Sequence, residues 1–249
     1  LFIRSKQGVY LTNYGKELFP YIKNVQNSEE YLQQAVAQIG GMEKGVVRIG
    51  TFNSACVEWM PSLLRGFEKD YPNIRIDIYQ GSYDDVYQWL KDGIVDLGFL
   101  SSTSAGDLPC TPIYQDKIIC VAPQGFKTEN EGYITIEELK KQRFVTQREG
   151  CDADVNHVMN KYDLPGGGGS YIADDMSAVS LVMGGFGVCL MPELVIRNIP
   201  FPVDVIPLEV EEKRTIVLAY VRSDVLAPAV QKMQSYILES FQKKAEEEQ

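Results

Sequence analysis

From residue 45 onward, short β-branched stretches alternate with amphipathic helical stretches, and this alternation most constrains the fold. The first unit has predicted strands at 46–51, 74–80 and 96–100, separated by predicted helices at 61–71 and 83–91. A strand–helix–strand–helix–strand order is typical of a parallel sheet covered by helices. The first unit is therefore predicted to be an α/β lobe.

A second unit repeats this order further along the chain. Its predicted strands lie at 143–147, 170–173 and 187–191, and its predicted helices at 152–162 and 176–183. An architecture that occurs twice in 249 residues indicates two similar lobes. Residues 165–170, PGGGGS, have the composition of a flexible linker and precede a strand, whereas phosphate-binding loops open helices.

Three further β-rich stretches are predicted to join the lobes. They lie at 110–123, between the units, and at 203–208 and 214–221, after the second unit. The last helix, predicted at 229–241, carries apolar residues at helical spacing and is expected to pack on the first lobe. The fold class is therefore α/β, with two Rossmann-like lobes of periplasmic-binding-protein type joined by crossover strands.

The N-terminal region predicts a β-hairpin and a long helix. Residues 8–12 read as a strand, and Thr12 is expected to cap the helix that ends at Gly40 and Gly41. Apolar residues recur along this helix with the 4,3 spacing of a coiled-coil seam, interrupted by Glu29. The seam residues are Leu18, Ile22, Val25, Leu32, Val36 and Ile39. We expect a dimerising helix; the alternative is an amphipathic helix docked on its own domain.

Charge and composition exclude several classes of protein. No apolar run approaches the ~20 residues of a membrane helix, and the N-terminus lacks a secretion signal, so a cytoplasmic protein without a membrane partner is expected. The formal charge is −10, and residues 1–44 hold only four of the acidic residues against five Lys or Arg. The acidic remainder would repel a nucleic-acid backbone.

The five cysteines and the one histidine predict neither a metal site nor a disulfide framework. The cysteines are widely spaced and form no C-x-x-C, so buried free thiols are favoured. His157 has no second histidine with which to share a metal. No nucleophile, acid and base set is evident, and no cofactor motif occurs, so we expect no enzyme activity, no metal and no cofactor.

The candidate binding site is formed by residues at the carboxyl ends of the predicted strands. In open parallel sheets, ligands bind there, beside helix N-termini. The candidate effector-binding residues are Thr51, Phe52, Asn53, Ser54, Gln80, Ser101, Ser102, Thr146, Gln147 and Arg148. Strand-end residues 81–82, 103–104 and 174–175 belong to the same polar surroundings. Helix capping alone would also favour many of these residue types, but a set facing another across a cleft suits a small polar or anionic molecule.

Several motifs resemble those of LysR-type transcriptional regulators. The pattern of Leu1, Phe2, Arg4, Leu11, Thr12 and Gly15 is similar to the end of that family's winged helix-turn-helix. Further along, GVVRIGT at 45–51, FEKDYP at 67–72, DLGF at 96–99 and GFGVCLMP at 185–192 resemble the family's effector-binding region. The resemblance extends to about Phe241.

This resemblance implies an effector-responsive regulator that forms a homodimer or tetramer and holds an inducer between its lobes. It also implies the division 1–15, remnant of the DNA-binding wing; 16–44, linker and dimerisation helix; 45–122 with 223–242, lobe I; 123–222, lobe II; and 243–249, tail. Because the recognition helix is missing, DNA is expected as a partner only of the full-length protein. Cys151 falls where peroxide-sensing members place a reactive thiol, but residues 152–162 contain no resolving cysteine.

A bilobal solute-binding protein for transport is the alternative function. Such a protein shares the two-lobed plan, but it would be monomeric and would carry a secretion signal or lipid anchor in place of the heptad helix. Measurement of the mass in solution separates the two functions.

Overall fold

A computed structural model describes residues 1–147, 152–166, 172–197, 200–221 and 226–247. Its elements are β1 (Phe2–Ser5), β2 (Gly8–Leu11), α1 (Asn13–Ile39), β3 (Gly45–Thr51), α2 (Asn53–Asp70), β4 (Ile74–Gln80), α3 (Tyr83–Lys91), β5 (Leu97–Ser101), β6 (Cys110–Pro123), α4 (Ile136–Lys140), α5 (Ala153–Lys161), α6 (Asp175–Met183), β7 (Cys189–Pro192), α7 (Glu193–Ile196), β8 (Val203–Pro207), β9 (Lys213–Tyr220) and α8 (Pro228–Glu247).

Lobe I is built on the strand order β4-β3-β5-β9. Strands β4, β3 and β5 are parallel, as predicted, and β9 is antiparallel to β5. Helices α2, α3 and α8 pack with this sheet around one large apolar core, in which Trp59 contacts the rings of Phe99 and Phe241. The carboxyl ends of β3, β4 and β5 therefore lie at one edge of the sheet.

Two lobe I helices are longer than predicted. Helix α2 begins at Asn53 and contains Pro61, where the sequence analysis placed its start. A proline inside a helix costs about 3 kcal/mol, but one face of α2 buries a continuous set of apolar side chains, including Trp59, Leu63 and Phe67, and this packing outweighs the cost. Helix α8 continues to Glu247, through most of the segment predicted as a tail.

Strand β6 connects the two lobes. Its residues Cys110–Lys117 pair with β9 in lobe I, whereas Ile118–Val121 pair with β7 and Ile119–Pro123 pair with β8 in lobe II. The return connection runs through residues 208–212, from β8 to β9. The predicted crossovers are thus present, although β9 belongs by its pairing with β5 to lobe I, whereas the predicted range 123–222 placed it in lobe II.

Lobe II has less regular structure than the two-unit repeat predicted. The predicted strand at 143–147 forms only isolated parallel bridges, from Phe144 to Val188 and from Gln147 to Ile172. Its described apolar residues form two smaller cores, one on each side of β6 and β7. Residues 148–151 and 167–171 lie outside the described residues, and with them Arg148, Cys151 and most of the glycine run.

The N-terminal hairpin and helix form as predicted. Strands β1 and β2 pair antiparallel, and the Thr12 hydroxyl accepts the Gly15 amide at 3.0 Å to cap α1. The six predicted seam residues are all exposed, from 45% for Leu18 to 89% for Ile39. The apolar stripe therefore faces away from the rest of the chain.

The opposite, polar face of α1 docks on lobe I. Asn27 Nδ2 donates to the Gly93 carbonyl at 2.9 Å, the Tyr31 hydroxyl donates to Asp96 at 3.0 Å, and Glu30 pairs with Arg48 at 2.7 Å. Burial raises the pKa of Asp96, and hydrogen bonds from Arg48 and Tyr31 oppose that rise. The helix thus uses its polar face within the chain, which leaves its apolar face unpaired.

Candidate functional site

A cleft of about 430 Å³ separates the strand ends of lobe I from the helix starts of lobe II, and we call it the effector cleft. Lobe I contributes the turn after β3, the turn after β4 and one residue of β9. Lobe II contributes Gln147 and the starts of α5 and α6. The lining residues are Phe52, Asn53, Ser54, Gln80, Gly81, Ser82, Tyr83, Asp85, Gln147, Asp152, Ala173, Asp174, Asp175, Val195 and Arg214.

The start of α2 presents backbone donors to the cleft. The helix follows β3 after the single residue Phe52, whose side chain makes no capping bond, and its first turn contains no acidic residue. The first amides of a helix have no partner within the helix and carry a partial positive charge. By contrast, α3 is closed by a capping box between Ser82 and Asp85. The start of α2 is therefore suited to bind an acceptor or an anion.

Arg214 forms the centre of a buried network at the rear of the cleft. Its Nε and Nη2 donate to Asp116 at 2.9 and 2.7 Å, Nη1 donates to the Tyr83 hydroxyl at 2.7 Å, and Nη2 also donates to Ser54 at 3.1 Å. The guanidinium lies 5.0 Å from the ring centre of Phe52. Arg214 thereby ties the start of α2 to α3 and to the crossover strand β6.

The network keeps Arg214 charged. Burial alone would lower the pKa of Arg214, but Tyr83 and Asp116 raise it above its ordinary value. Burial raises the pKa of Asp116, and the Arg214 charge and hydrogen bond oppose this rise. Asp116 also accepts the Leu194 amide of α7 at 3.0 Å. A buried pair with this many hydrogen bonds is held in one geometry.

On the lobe II side, the cleft is lined by carboxylates at helix starts. Asp152 caps α5 by accepting the amides of Asp154 and Val155, and Asp174 caps α6 by accepting the amide of Ser177. Asp175 accepts Nε2 of Gln147 at 2.6 Å. Burial raises the pKa of Asp152 to about 6, and Asp154 and Asp175 add to the rise while Arg214 opposes it.

A second contact between the lobes lies beside the cleft. The hydroxyls of Ser101 and Thr103, at the end of β5, both donate to Oδ1 of Asp154 on α5, at 3.0 and 2.9 Å. Asp154 is buried, and its Oδ2 has no hydrogen-bond partner among the described residues. Because Asp152 and Asp154 share the start of α5, the cleft and this inter-lobe contact are mechanically connected.

The structure brings five of the ten predicted site residues together. Phe52, Asn53, Ser54, Gln80 and Gln147 all line the effector cleft. The other described candidates lie elsewhere: Thr51 is buried, Ser101 faces Asp154, Ser102 is exposed, and Thr146 lines a small neighbouring cavity of about 20 Å³. Arg148 lies outside the described residues.

Six lining residues were missed by the sequence analysis: Tyr83, Asp85, Asp152, Ala173, Val195 and Arg214. Tyr83 begins α3 three residues after the end of β4, and Asp152 caps α5 five residues after the predicted strand at 143–147, so both lie beyond the strand ends that the rule considered. The strand-end rule gave no reason to select Arg214, because Arg214 lies at the start of a strand and the rule considers only the carboxyl ends of strands. It reaches the cleft because β9 is antiparallel to β5, with Ile216 opposite Ser101. The start of β9 therefore lies at the carboxyl edge of the parallel strands.

Across the described ranges, no three His, Cys, Asp or Glu side chains are placed to hold a metal ion. Of the four cysteines described, Cys120 and Cys189 are buried, Cys56 is partly buried and Cys110 is exposed. Within the same ranges, the structure contains no helix with the length and apolarity needed to cross a bilayer.

Two α/β lobes that are joined by crossover strands and that enclose a polar cleft define a two-lobed small-molecule-binding domain of periplasmic-binding-protein type. A family model described as the LysR substrate binding domain matches residues 40–242. The chain therefore belongs to the LysR family of transcriptional regulators.

Known proteins agree with this assignment. The transcriptional dual regulator GltC of Bacillus subtilis is 24% identical over 252 residues, which cover 98% of the chain and 83% of GltC. The effector-binding domain of QuiR in complex with shikimate has a TM-score of 0.70 at 19% identity and covers 80% of the chain and 98% of its own. An OxyR mutant of Corynebacterium glutamicum has a TM-score of 0.73 at 20% identity, with 99% of the chain and 79% of OxyR covered.

Proposed function

We propose that the chain is the ligand-sensing and oligomerising part of an effector-responsive transcriptional regulator. A small polar or anionic molecule binds in the effector cleft and contacts both lobes. The two-sided lining carries this proposal, because donors of α2 and Arg214 face Gln147 and the acidic helix caps across about 430 Å³. The shikimate complex of QuiR supports a small-molecule ligand for this fold.

The effector acts by favouring one relative arrangement of the lobes. Inversion of a 1:99 balance requires about 10⁴-fold preferential binding, roughly 5.5 kcal/mol, and smaller shifts need less. Charge-assisted hydrogen bonds from both lobes supply a preference of this kind. The change reaches DNA-binding domains through α1, so DNA is a partner of the full-length protein, and we place that protein in the cytoplasm, where it can reach DNA.

The proposed effector contacts are Phe52, Asn53, Ser54, Gln80 and Gln147, together with Arg214. Thr51, Ser101, Ser102 and Thr146 support the walls of the cleft or its neighbourhood. Arg148 follows Gln147 directly and is proposed as a further contact on sequence grounds. Arg148→Ala is expected to weaken an anionic effector by more than tenfold without unfolding the domain. Unchanged affinity in calorimetry would remove Arg148 from the site.

The apolar stripe of α1 is the proposed interface with a second copy. Its six side chains are exposed in one copy, and the polar face of the helix is already used by lobe I. Val25→Asp is therefore expected to weaken the dimer in sedimentation experiments, whereas Gln38→Asp, an exposed substitution away from the stripe, is not. A Val25→Asp protein that sediments as the wild type does would contradict the interface.

A transport protein and an enzyme are disfavoured. The matched family and the named relatives are transcriptional regulators, and the effector cleft is lined by capping residues and amides instead of an activated nucleophile with its base. We therefore propose that the chain binds its ligand without transforming it. A monomer that is insensitive to loss of α1 would favour the transport alternative.

The proposed function is tested by screening ligands against the wild type and against a variant whose effector cleft is filled by a larger side chain. Native mass spectrometry of the purified chain reveals a co-purified small molecule, and thermal-shift screening with organic acids, sugars and amino acids reveals added ones. A ligand of the cleft stabilises the wild type in proportion to the logarithm of its concentration. Asn53→Trp, which fills the cleft from the start of α2, is expected to abolish the shift.

Val57→Trp is the matched control, because Val57 lies on the same helix, is 57% exposed and does not line the cleft. It is expected to retain the shift. Equal shifts in both variants would place the ligand outside the effector cleft and would contradict the proposal.

A further inference from the structure

On the lobe I wall of the effector cleft, hydrogen-bond donors come from Arg214, a positively charged side chain that is held in one position. Arg214 is 97% buried, and four of its five N–H groups are occupied by Asp116, Tyr83 and Ser54. The remaining N–H, on Nη1, has no acceptor among the described residues, and the side chain lines the cleft. Beside it, the uncapped start of α2 adds backbone N–H groups. The carboxylate of Asp85 also lines this side of the cleft, with its Oδ2 occupied by the amide and hydroxyl of Ser82. The donors of Arg214 and α2 are complementary to a ligand carboxylate.

The lobe II wall offers acceptors. Asp152 uses Oδ1 to cap α5, and Asp175 uses Oδ1 to accept from Gln147. The Oδ2 atoms of both residues accept no hydrogen bond within the described part of the chain. Asp174, the third carboxylate of this wall, is fully engaged by Ser177. Two carboxylate oxygens therefore remain for a ligand that carries hydrogen-bond donors or positive charge.

We infer that the effector is a zwitterion of the α-amino acid type, with its carboxylate held by Arg214 and the start of α2, and its ammonium group held by Asp152 and Asp175. This inference rests on the proposed function of the cleft and specifies its ligand. Each charge of the ligand meets the opposite charge on one lobe, so a single small molecule joins both lobes. That bridging is the property required to favour a closed arrangement.

Ligands with only one kind of charge fit less well. A purely anionic effector satisfies Arg214 but brings negative charge toward Asp152 and Asp175. A purely cationic effector satisfies lobe II but leaves the N–H of Arg214 and the start of α2 without an acceptor, which forfeits the contact to lobe I.

The affinity for a zwitterionic ligand and the affinity for a purely anionic ligand should change in opposite directions with pH. The groups that act on Asp152 are Asp154 on the same helix, Asp175 on α6, Tyr83 on α3 and Arg214 on β9. Burial raises the pKa of Asp152 to about 6. An ammonium group favours the ionised carboxylate, so affinity should rise as the pH increases from 5 to 7. The affinity for a purely anionic ligand should fall as the pH increases over the same interval.

The test uses the chain with the twenty L-amino acids as probes, first by thermal shift and then by calorimetry. Each amino acid that binds is compared with its 2-hydroxy acid, which lacks the ammonium group, and with the amine that lacks the carboxylate. We expect each loss to weaken binding at least tenfold. Asp175→Asn is expected to weaken the amino acid at least tenfold and not to weaken the 2-hydroxy acid, whereas Asp84→Asn, at an exposed position of α3 outside the cleft lining, changes neither.

The outcomes separate this inference from the proposed function. Equal or tighter binding of 2-hydroxy acids, or affinity that falls from pH 5 to pH 7, would overturn the zwitterion while leaving the cleft as an effector site. No binding of any amino acid at 10 mM would also overturn it. The proposed function fails separately, when ligands found in the broader screen bind Asn53→Trp as well as they bind the wild type.

Discussion

Lobe I and lobe II contribute to the same cleft in different ways. The lobe I wall rests on continuous strands and one large core, and Arg214 fixes its position through four hydrogen bonds. The lobe II wall is formed by helix starts and by a segment that is joined to the sheet through isolated bridges. The lobe I wall is therefore rigid and does not depend on the identity of the ligand, whereas the lobe II wall is held by fewer interactions.

This difference suggests a division of labour between the lobes. A carboxylate-binding wall built into the scaffold serves any ligand that carries this common group. Side chains at helix starts, such as Gln147 and Asp175, can change without disturbing a sheet, so they are suited to define which ligand is accepted. Loops positioned by a rigid scaffold commonly carry specificity in this way.

The largest expected effect on the free energy of unfolding comes from truncating one buried phenylalanine in the core of each lobe. Phe67 in lobe I and Phe144 in lobe II are buried phenylalanines, exposed by 0% and 3%. Phe67→Ala is expected to reduce the free energy of unfolding by about 4–5 kcal/mol, and Phe144→Ala by about 3 kcal/mol. The reason is that Phe67 also contacts the rings of Tyr71 and Tyr236. Urea unfolding measures both, and Phe186→Ala, at an exposed position, serves as the control.

If Phe144→Ala were the more destabilising of the two, the contrast between a rigid and a less rigid lobe would be wrong.

The second prediction concerns the ion pair between Asp116 and Arg214, which anchors the lobe I wall. Asp116→Ala leaves the Arg214 charge buried without its carboxylate, and it should cost about 3 kcal/mol of unfolding free energy. Asp77→Ala removes the partner of the exposed Arg75, 3.0 Å away, and should cost less than about 1 kcal/mol. Chemical denaturation of both variants provides the comparison, and equal losses would argue against a rigid anchor at Arg214.

A smaller effect is expected at the inter-lobe contact. Asp154→Ala removes the acceptor of Ser101 and Thr103 and should cost about 1–2 kcal/mol. Hydrogen exchange should increase at the amides of α5, while β3 and β5 stay protected. Asn160→Ala, an exposed substitution on the same helix, is the control. Unchanged exchange in α5 would mean that this contact does not hold lobe II.

The smallest effect concerns the pH dependence of stability. The pKa of Asp152 rises from 3.8 to about 6 on folding, so the folded chain binds a proton that the unfolded chain has released. Stability should therefore fall as the pH rises from about 4 to about 6. Asp152→Asn removes this fall, which is about 1 kcal/mol because water screens a partly exposed carboxylate.

The measurement is the unfolding free energy of wild type and Asp152→Asn at several pH values, with Asp84→Asn as the control. Parallel pH profiles for the wild type and Asp152→Asn would show that Asp152 ionises in the folded chain as it does in the unfolded chain.

Features determined by local sequence were predictable. The predicted bounds of α3 agree with the structure, in which Ser82 and Asp85 form a capping box at its start and Val86 and Leu90 are buried. Thr12 was identified as the cap of α1 from local sequence. The strand-end rule located the five cleft residues that follow β3, end β4 or precede α5, since parallel strands place their carboxyl ends at one edge.

Features determined by distant pairing were not predictable. Arg214 reaches the cleft through the antiparallel register of β9 with β5, and nothing near Arg214 in the sequence encodes that register. The face of α1 that docks on lobe I was also unexpected, because burial of Asn27 and Gln34 depends on partners at Gly93 and Ala229. Periodicity indicates which face is apolar, but it does not indicate what that face contacts.

Strand β6 determines how the two lobes can move. One continuous strand is hydrogen-bonded to the sheets of both lobes, and the Ile118 amide of β6 donates to the Glu212 carbonyl of the return connection at 2.8 Å. We therefore expect any rotation of the lobes to pivot near Asp116. The lobes would then act as lever arms: Arg214, close to this strand, is expected to shift least, and the residues farthest from β6 are expected to shift most. A small twist of one strand would therefore produce a larger displacement at the opening of the cleft.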